Sequence, residues 1–219
     1  MRLLLVAAVL CGSACMTAPT VRPLPQGKSQ TSVTLGGPMV GVPNGPTIPL
    51  PNITVEYRKG QTKLWDWHAG THVLPMLFGA LGVHAGGTYL LREQSGGQPA
   101  LAITERLYLF SNHLDGRKPD ASKALWAVNE LTLTASWKQG YQTFFVALKD
   151  HLDFSMPGLL LTPTAGVEKA WGAWRLFAEL GWYAPHASNG KAVLNWYGVN
   201  DLGALGLGFG VGRQFGGSR

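Results

Sequence analysis

Cysteine is nearly absent from this 219-residue chain, which has only Cys11 and Cys15. Cleavage before Cys15 would leave one cysteine and no internal disulfide. A clean run of about 20 apolar residues is also missing, which excludes an ordinary helical membrane span. Yet 46% of the residues are hydrophobic and only 14% are charged. Basic runs are lacking as well. Lys and Arg are scattered along a chain of formal charge +6, so the footprint of a nucleic-acid binder is absent, and a solvated rim facing anionic lipid headgroups accounts for the charge. Hydrophobicity without a span is what alternating transmembrane strands produce.

What is present at the start is a charged head, Met1-Arg2, an apolar stretch from Leu3 to Leu10, and the small residues Gly12-Ser13-Ala14. Residues 1–14 therefore read as an export signal, too short to span a bilayer. The residues before Cys15 resemble the processing box of bacterial lipoproteins, with Gly12 where Leu is usual, and the resemblance implies lipidation of Cys15. A plain signal peptide cut near Ala14 or Ala18 is the alternative. Residues 15–51 are rich in Pro, Gly, Thr, Ser and Gln, as in Arg22-Pro23-Leu24-Pro25. Such a stretch cannot bury a core of its own and reads as a disordered periplasmic linker.

Residues 52–219 read as the folded domain, organised around Ala173 to Ser188. Trp174, Leu176, Ala178, Leu180 and Trp182 alternate with a wetter set that includes Arg175 and Glu179. Eight residues put the two tryptophans about 26 Å apart along a strand, close to the separation of two aromatic girdles once the strand is tilted. Similar alternation occurs at Ile53-Val55-Tyr57, Leu131-Leu133-Ala135-Trp137 and Leu159-Leu161-Ala165-Val167. Lys59-Gly60 is a candidate interruption of the first strand before Leu64 to Trp67; Val73 to Val83 reads as either a strand or a short helix, and a strand is expected near Gly82 to Leu91. Turns at Ser95-Gly96, Gln139-Gly140 and Trp171-Gly172 are short, whereas the links from Ser111 to Ala124, Asp150 to Pro157 and Ser188 to Asn200 are long. This alternation of link lengths suits an all-β, antiparallel transmembrane β-barrel of eight strands, with Ala173 to Ser188 the seventh. A soluble periplasmic β-sandwich is the alternative.

The run from Leu205 to Phe215 has an apolar odd face and an even face that is nearly all glycine. No helix follows, so it is not a phosphate loop. Inward glycines would make room for bulky side chains from across a narrow barrel. The ending resembles the terminal-strand signal of outer-membrane barrels, with Gly210 and Phe215 in place and Arg213 where an aromatic is usual. Trp126, Trp137, Trp174, Trp182 and Trp196 read as girdle residues.

One segment carries candidate chemistry: His186-Ala187-Ser188-Asn189-Gly190. It is similar to the active-site segment of outer-membrane lipid A 3-O-deacylases, themselves eight-strand barrels. The resemblance implies His186 as base, Ser188 as nucleophile and Asn189 as an oxyanion donor. A serine hydroxyl needs an adjacent base, and that base an orienting acid, for which Asp201 is the candidate. Regular continuation of the strand would put His186 and Ser188 on the outward face at headgroup level. His68 and His72 stand four apart, but Gly70 argues against a helix and no third ligand is evident, so neither a metal nor a cofactor is expected. The expected surroundings are outer-membrane lipid and lipopolysaccharide, with an envelope protein partner open. Two functions stand: a structural or assembly barrel of the envelope, and a lipid A deacylase-like serine esterase.

Overall fold

A computed structural model describes residues 17–41, 46–49, 52–73, 76, 81–111, 125–153, 159–188, 197–200 and 202–216. The strands are β1 (Ser29–Gly41), β2 (Thr47–Pro49), β3 (Asn52–Gly60), β4 (Trp65–His72), β5 (Leu81–Arg92), β6 (Ala100–Ser111), β7 (Leu125–Gln139), β8 (Gln142–Asp153), β9 (Leu159–Trp171), β10 (Trp174–Ser188) and β11 (Leu202–Phe215). All pairings are antiparallel; β1 lies beside β3, and from β3 to β11 each strand lies beside the next. β11 returns to β1 in a continuous register from Ser29↔Phe215 to Pro38↔Gly206. The ring is thus a closed barrel of ten strands, and β2 is an eleventh that pairs only with the end of β1, as at Val40↔Ile48.

The strand count corrects the expected eight, and it does so in two places. Trp65 to Trp67 opens a full strand, β4, that runs to His72. Ser29–Gly41 lies inside the expected linker and closes the ring between β3 and β11. Its composition concealed it: the lumen-facing residues Gln30, Ser32, Thr34 and Gly36 are polar or small, and only Val33 and Leu35 advertise an outer face. Pro38 falls between the last β3 partner, Gly36, and the first β2 partner, Met39, where a missing N–H is tolerated. Ala173 to Ser188 accordingly contributes the ninth strand of the ring rather than the seventh.

Burial alternates with period two, and its sense is inverted relative to a soluble protein. Glu56, Arg58, His68, His84, Thr104, Arg106, Glu130 and Thr134 are buried, while Leu35, Leu133 and Leu180 are about half exposed, at 49%, 50% and 51%. Closure gives every ring strand a neighbour on both edges, and an apolar outer face around a polar lumen is the arrangement that suits a hydrocarbon surround. Trp137, Trp174 and Trp182 face outward as expected. Trp126 does not: it turns into the lumen and stacks on Phe110 with centroids 5.3 Å apart. Trp196 lies outside the described residues. Arg213, standing where an aromatic is usual, sits 5.6 Å from the Trp174 ring centre and 5.4 Å from that of Phe215.

The tight turns, the Ser29 end of β1 and the Phe215 end of β11 share one end of the barrel. Gly140 and Gly172 each open a two-residue hairpin loop at φ of 59° and 58°. The residues that follow them have ordinary φ, the pattern of a type II′ turn, in which glycine is favoured at the first position. The glycines of β11 make room as expected, but chiefly for neighbours along the sheet. A Cβ on Gly210 would fall on the Phe177 ring, one on Gly206 would meet Tyr183, and one on Gly212 would meet Gln30.

Candidate functional site

Of the expected catalytic residues, only His186 and the backbone of Ser188 fall among the described residues. His186 is exposed on β10 near the end with the longer links. The regular continuation of β10 stops at Tyr183, however. The register jumps from Tyr183↔Ala204 to Ser188↔Leu202, and Ala184 adopts φ of 44°. Five positions of β10 there answer two of β11, so parity no longer fixes where His186 and Ser188 point. Pro185, which cannot donate to the ladder, lies within this irregular stretch. Ser188 is placed by its backbone pairing alone. Asn189, Asp201 and Cys15 lie outside the described residues.

The lumen holds a different constellation. It begins with the N-terminal segment Thr17 to Leu24, which was expected in the periplasm and instead runs along the inside of the barrel. Thr17, Ala18, Thr20, Val21 and Leu24 are all buried. Thr17 Oγ1 lies 3.4 Å from the Tyr108 hydroxyl, Ala18 O accepts from Arg106 at 3.4 Å, and Thr20 Oγ1 lies 2.8 Å from Thr104 Oγ1. The segment therefore descends antiparallel to β6. At the turn end Arg22 donates to Ser136 Oγ at 2.8 Å and to Gln94 Oε1 at 2.7 Å, and Leu24 N donates to Asp66 Oδ2 at 2.7 Å. The composition that suggested a linker suits this position. Small side chains fit a narrow lumen, and Pro19 and Pro23 bring no N–H that would need a partner away from water.

Behind the segment, charged side chains from distant strands meet. Arg106 on β6 forks between Glu56 on β3, at 3.0 Å, and Glu130 on β7, at 2.8 Å. Glu130 also accepts from the Tyr108 hydroxyl at 2.8 Å and lies 3.1 Å from His151 Nε2. Glu56 lies 3.1 Å from His84 Nε2, and His84 Nδ1 lies 3.2 Å from His72 Nε2. If His84 donates to Glu56, its other nitrogen accepts from His72, which gives a consistent chain of neutral tautomers. Lys149 on β8 reaches Glu179 on β10 at 2.6 Å. These pairs fasten the wall across its own hollow, where removing one partner would leave the other buried without its counter-charge.

Not every polar atom is satisfied. Both ring nitrogens of His68, His72 Nδ1 and Glu56 Oε1 are buried without a protein partner. Among the described residues no three His, Cys, Asp or Glu side chains converge as metal ligands. His68 and His72 share a face because four is an even number on a strand, which is why their helical spacing was misleading. Arg106, His84, Lys149 and His151 were not anticipated. The available signal was their parity, opposite to the outward leucines on the same strands.

The geometry defines a closed antiparallel β-barrel with an apolar exterior and an occupied, charged lumen. No protein-family model matches the chain, and no curated protein matches it. Among solved structures, the translocator domain of the autotransporter NalP from Neisseria meningitidis is similar with a TM-score of 0.45 and 11% identity, covering 98% of this chain and 94% of that one. Ail, the attachment invasion locus protein of Yersinia pestis, is similar with a TM-score of 0.30 and 9% identity, covering 87% of this chain and 99% of that one.

Proposed function

We propose that this chain is a bacterial outer-membrane β-barrel, a non-enzymatic structural or assembly component of the envelope whose lumen is sealed by its own N-terminal segment. The observation that carries the reading is the burial of Thr17 to Leu24 along β6, backed by the Arg106, Glu56 and Glu130 bridge. A lumen filled in this way offers no open passage, and the apolar outer face supports residence in a bilayer. The test is electrical. The full chain, inserted into planar bilayers and migrating faster unboiled than boiled on a denaturing gel, is expected to give no steady conductance. A stable open pore from the wild-type chain would sink the sealed-barrel reading.

A second reading is the lipid A deacylase-like serine esterase. Its support is the exposure of His186 near the link-rich end of β10, two positions before Ser188. Lipid A from cells expressing wild type, Ser188→Ala and His186→Ala is compared by mass spectrometry. Loss of an acyl chain only with wild type establishes it, and an unchanged lipid A in all three ends it.

A further inference from the structure

The outer face of the barrel is broken by a carboxylate in mid-strand. Along β6 the outward residues run Leu101, Ile103, Glu105, Leu107, Leu109, so Glu105 has two apolar neighbours on either side. Its register partner on β7 is Leu131, and Leu107 pairs with Asn129. Asn129 donates from Nδ2 to Glu105 Oε1 at 3.2 Å across this outer surface. Glu105 is exposed and Asn129 half-buried. On the other side, Glu105 pairs with Gly87 of β5, which has no side chain to cover it.

A carboxylate facing hydrocarbon in the middle of an apolar strand is unfavourable, and one amide hydrogen bond leaves most of its acceptor capacity unused. The remaining capacity is matched within the same patch. An amide carries two N–H groups, and Asn129 uses one of them on Glu105. Its second hydrogen and the rest of the carboxylate's acceptor capacity find no further partner among the described residues, so a donor and an acceptor remain on one patch. Such a patch is complementary to itself under a two-fold rotation. Among the described residues, the outward cations Lys59, Lys169 and Arg213 stand within two residues of the turn-end limits of their strands and do not answer it.

We infer that Glu105 and Asn129 form the centre of an isologous interface with a second copy of this chain inside the membrane. Each Asn129 donates one hydrogen to its own Glu105 and the other to the partner's Glu105, and the side-chain-free position at Gly87 lets the two walls approach. Donor and acceptor sitting on one patch favour a second copy over an unrelated protein, which would have to bring its own donor to this depth. The inference rests on the outer face being lipid-facing.

The experiment uses the full chain in density-matched detergent micelles, analysed by sedimentation equilibrium, and in phosphatidylcholine vesicles with a photo-crosslinking amino acid at Leu131. Vesicle flotation and the heat-dependent gel shift report insertion and folding separately. A wild-type dimer is expected, with a Leu131 crosslink of twice the monomer mass. Glu105→Leu combined with Asn129→Leu should raise the dimer dissociation constant at least tenfold while flotation and the gel shift persist. Glu105→Gln, which keeps an acceptor, should retain the dimer. A folded, inserted wild type that stays monomeric at every detergent ratio overturns the proposal, as does a dimer indifferent to the double substitution or a crosslink to a different protein. Failure to float overturns the membrane reading itself, and the interface with it.

Discussion

Thr20 Oγ1 lies 2.8 Å from Thr104 Oγ1, and Thr104 in turn donates to Thr88 at 3.1 Å. The three hydroxyls tie the N-terminal segment to β6 and β5 halfway down the lumen, 84 positions apart in sequence for the first pair. With the native cysteines replaced by Ser, Thr20→Cys and Thr104→Cys are expected to form a disulfide on mild oxidation of the folded protein, since both side chains already point at one another. Peptide mass spectrometry after digestion reads it directly. A pair that stays reduced in folded barrels would mean that the segment does not occupy this position.

Arg106 on β6 holds two carboxylates: Glu130, its register partner on the adjacent β7, and Glu56 on the non-adjacent β3. Arg106→Met keeps much of the volume and leaves Glu56 and Glu130 buried without their cation. The expected loss is about 3–5 kcal/mol, the usual scale for orphaning a buried charge. Urea unfolding of the vesicle-inserted barrel, followed by tryptophan fluorescence, gives the value. The triple change Arg106→Met, Glu56→Gln, Glu130→Gln should recover a large part of it.

His68 and His84 are buried to a similar degree, yet only His84 has hydrogen-bonding partners. His84→Phe breaks the link between Glu56 and His72 and is expected to cost about 1–3 kcal/mol, the penalty for buried groups left unpaired. His68→Phe removes two ring nitrogens that have no protein partner and should be near neutral or stabilising. Equal losses for the two variants would contradict the hydrogen-bond assignment.

Gly210 lies against Phe177, its register partner on β10. Gly210→Ala puts a methyl where the ring now sits, and overpacking of this kind costs about 1–3 kcal/mol. Phe177→Leu should relieve most of that loss, so the pair is expected to be strongly non-additive in a double-mutant cycle. Additive effects would argue that the two do not touch.

Much of the wall was legible in sequence because its signals are local. The tryptophan-ended stripe of β10, the alternation at Leu131 to Trp137 and the glycine turns after Gln139 and Trp171 each follow from a period of two and from the φ that a tight hairpin demands. The segment from Leu64 to His72 was harder, because on β4 the lumen face carries Asp66, His68 and His72 and the outer face carries Ala69 and Thr71. Neither face of that strand is clean. Asp150 was expected to begin a loop, but β8 continues through it to Asp153.

The sequence by itself determined that strands would alternate, where the tightest turns fall, and that one face of each strand would be greasy. Alternation alone suits a membrane barrel and a soluble sandwich alike, and the tertiary structure decided between them, because a greasy face points outward only once the ring closes. Closure joins Gln214 to Gln30, 184 positions earlier, through a side-chain hydrogen bond of 3.2 Å. The same holds for the N-terminal segment. Thr17 to Leu24 has no capacity to bury itself, and its place is set by polar groups of Thr104, Arg106 and Tyr108 that become a surface only inside the finished barrel. Contacts made across a lumen leave no periodic trace in the chain, which is why most of the wall, though not β1, could be read in advance and its contents could not.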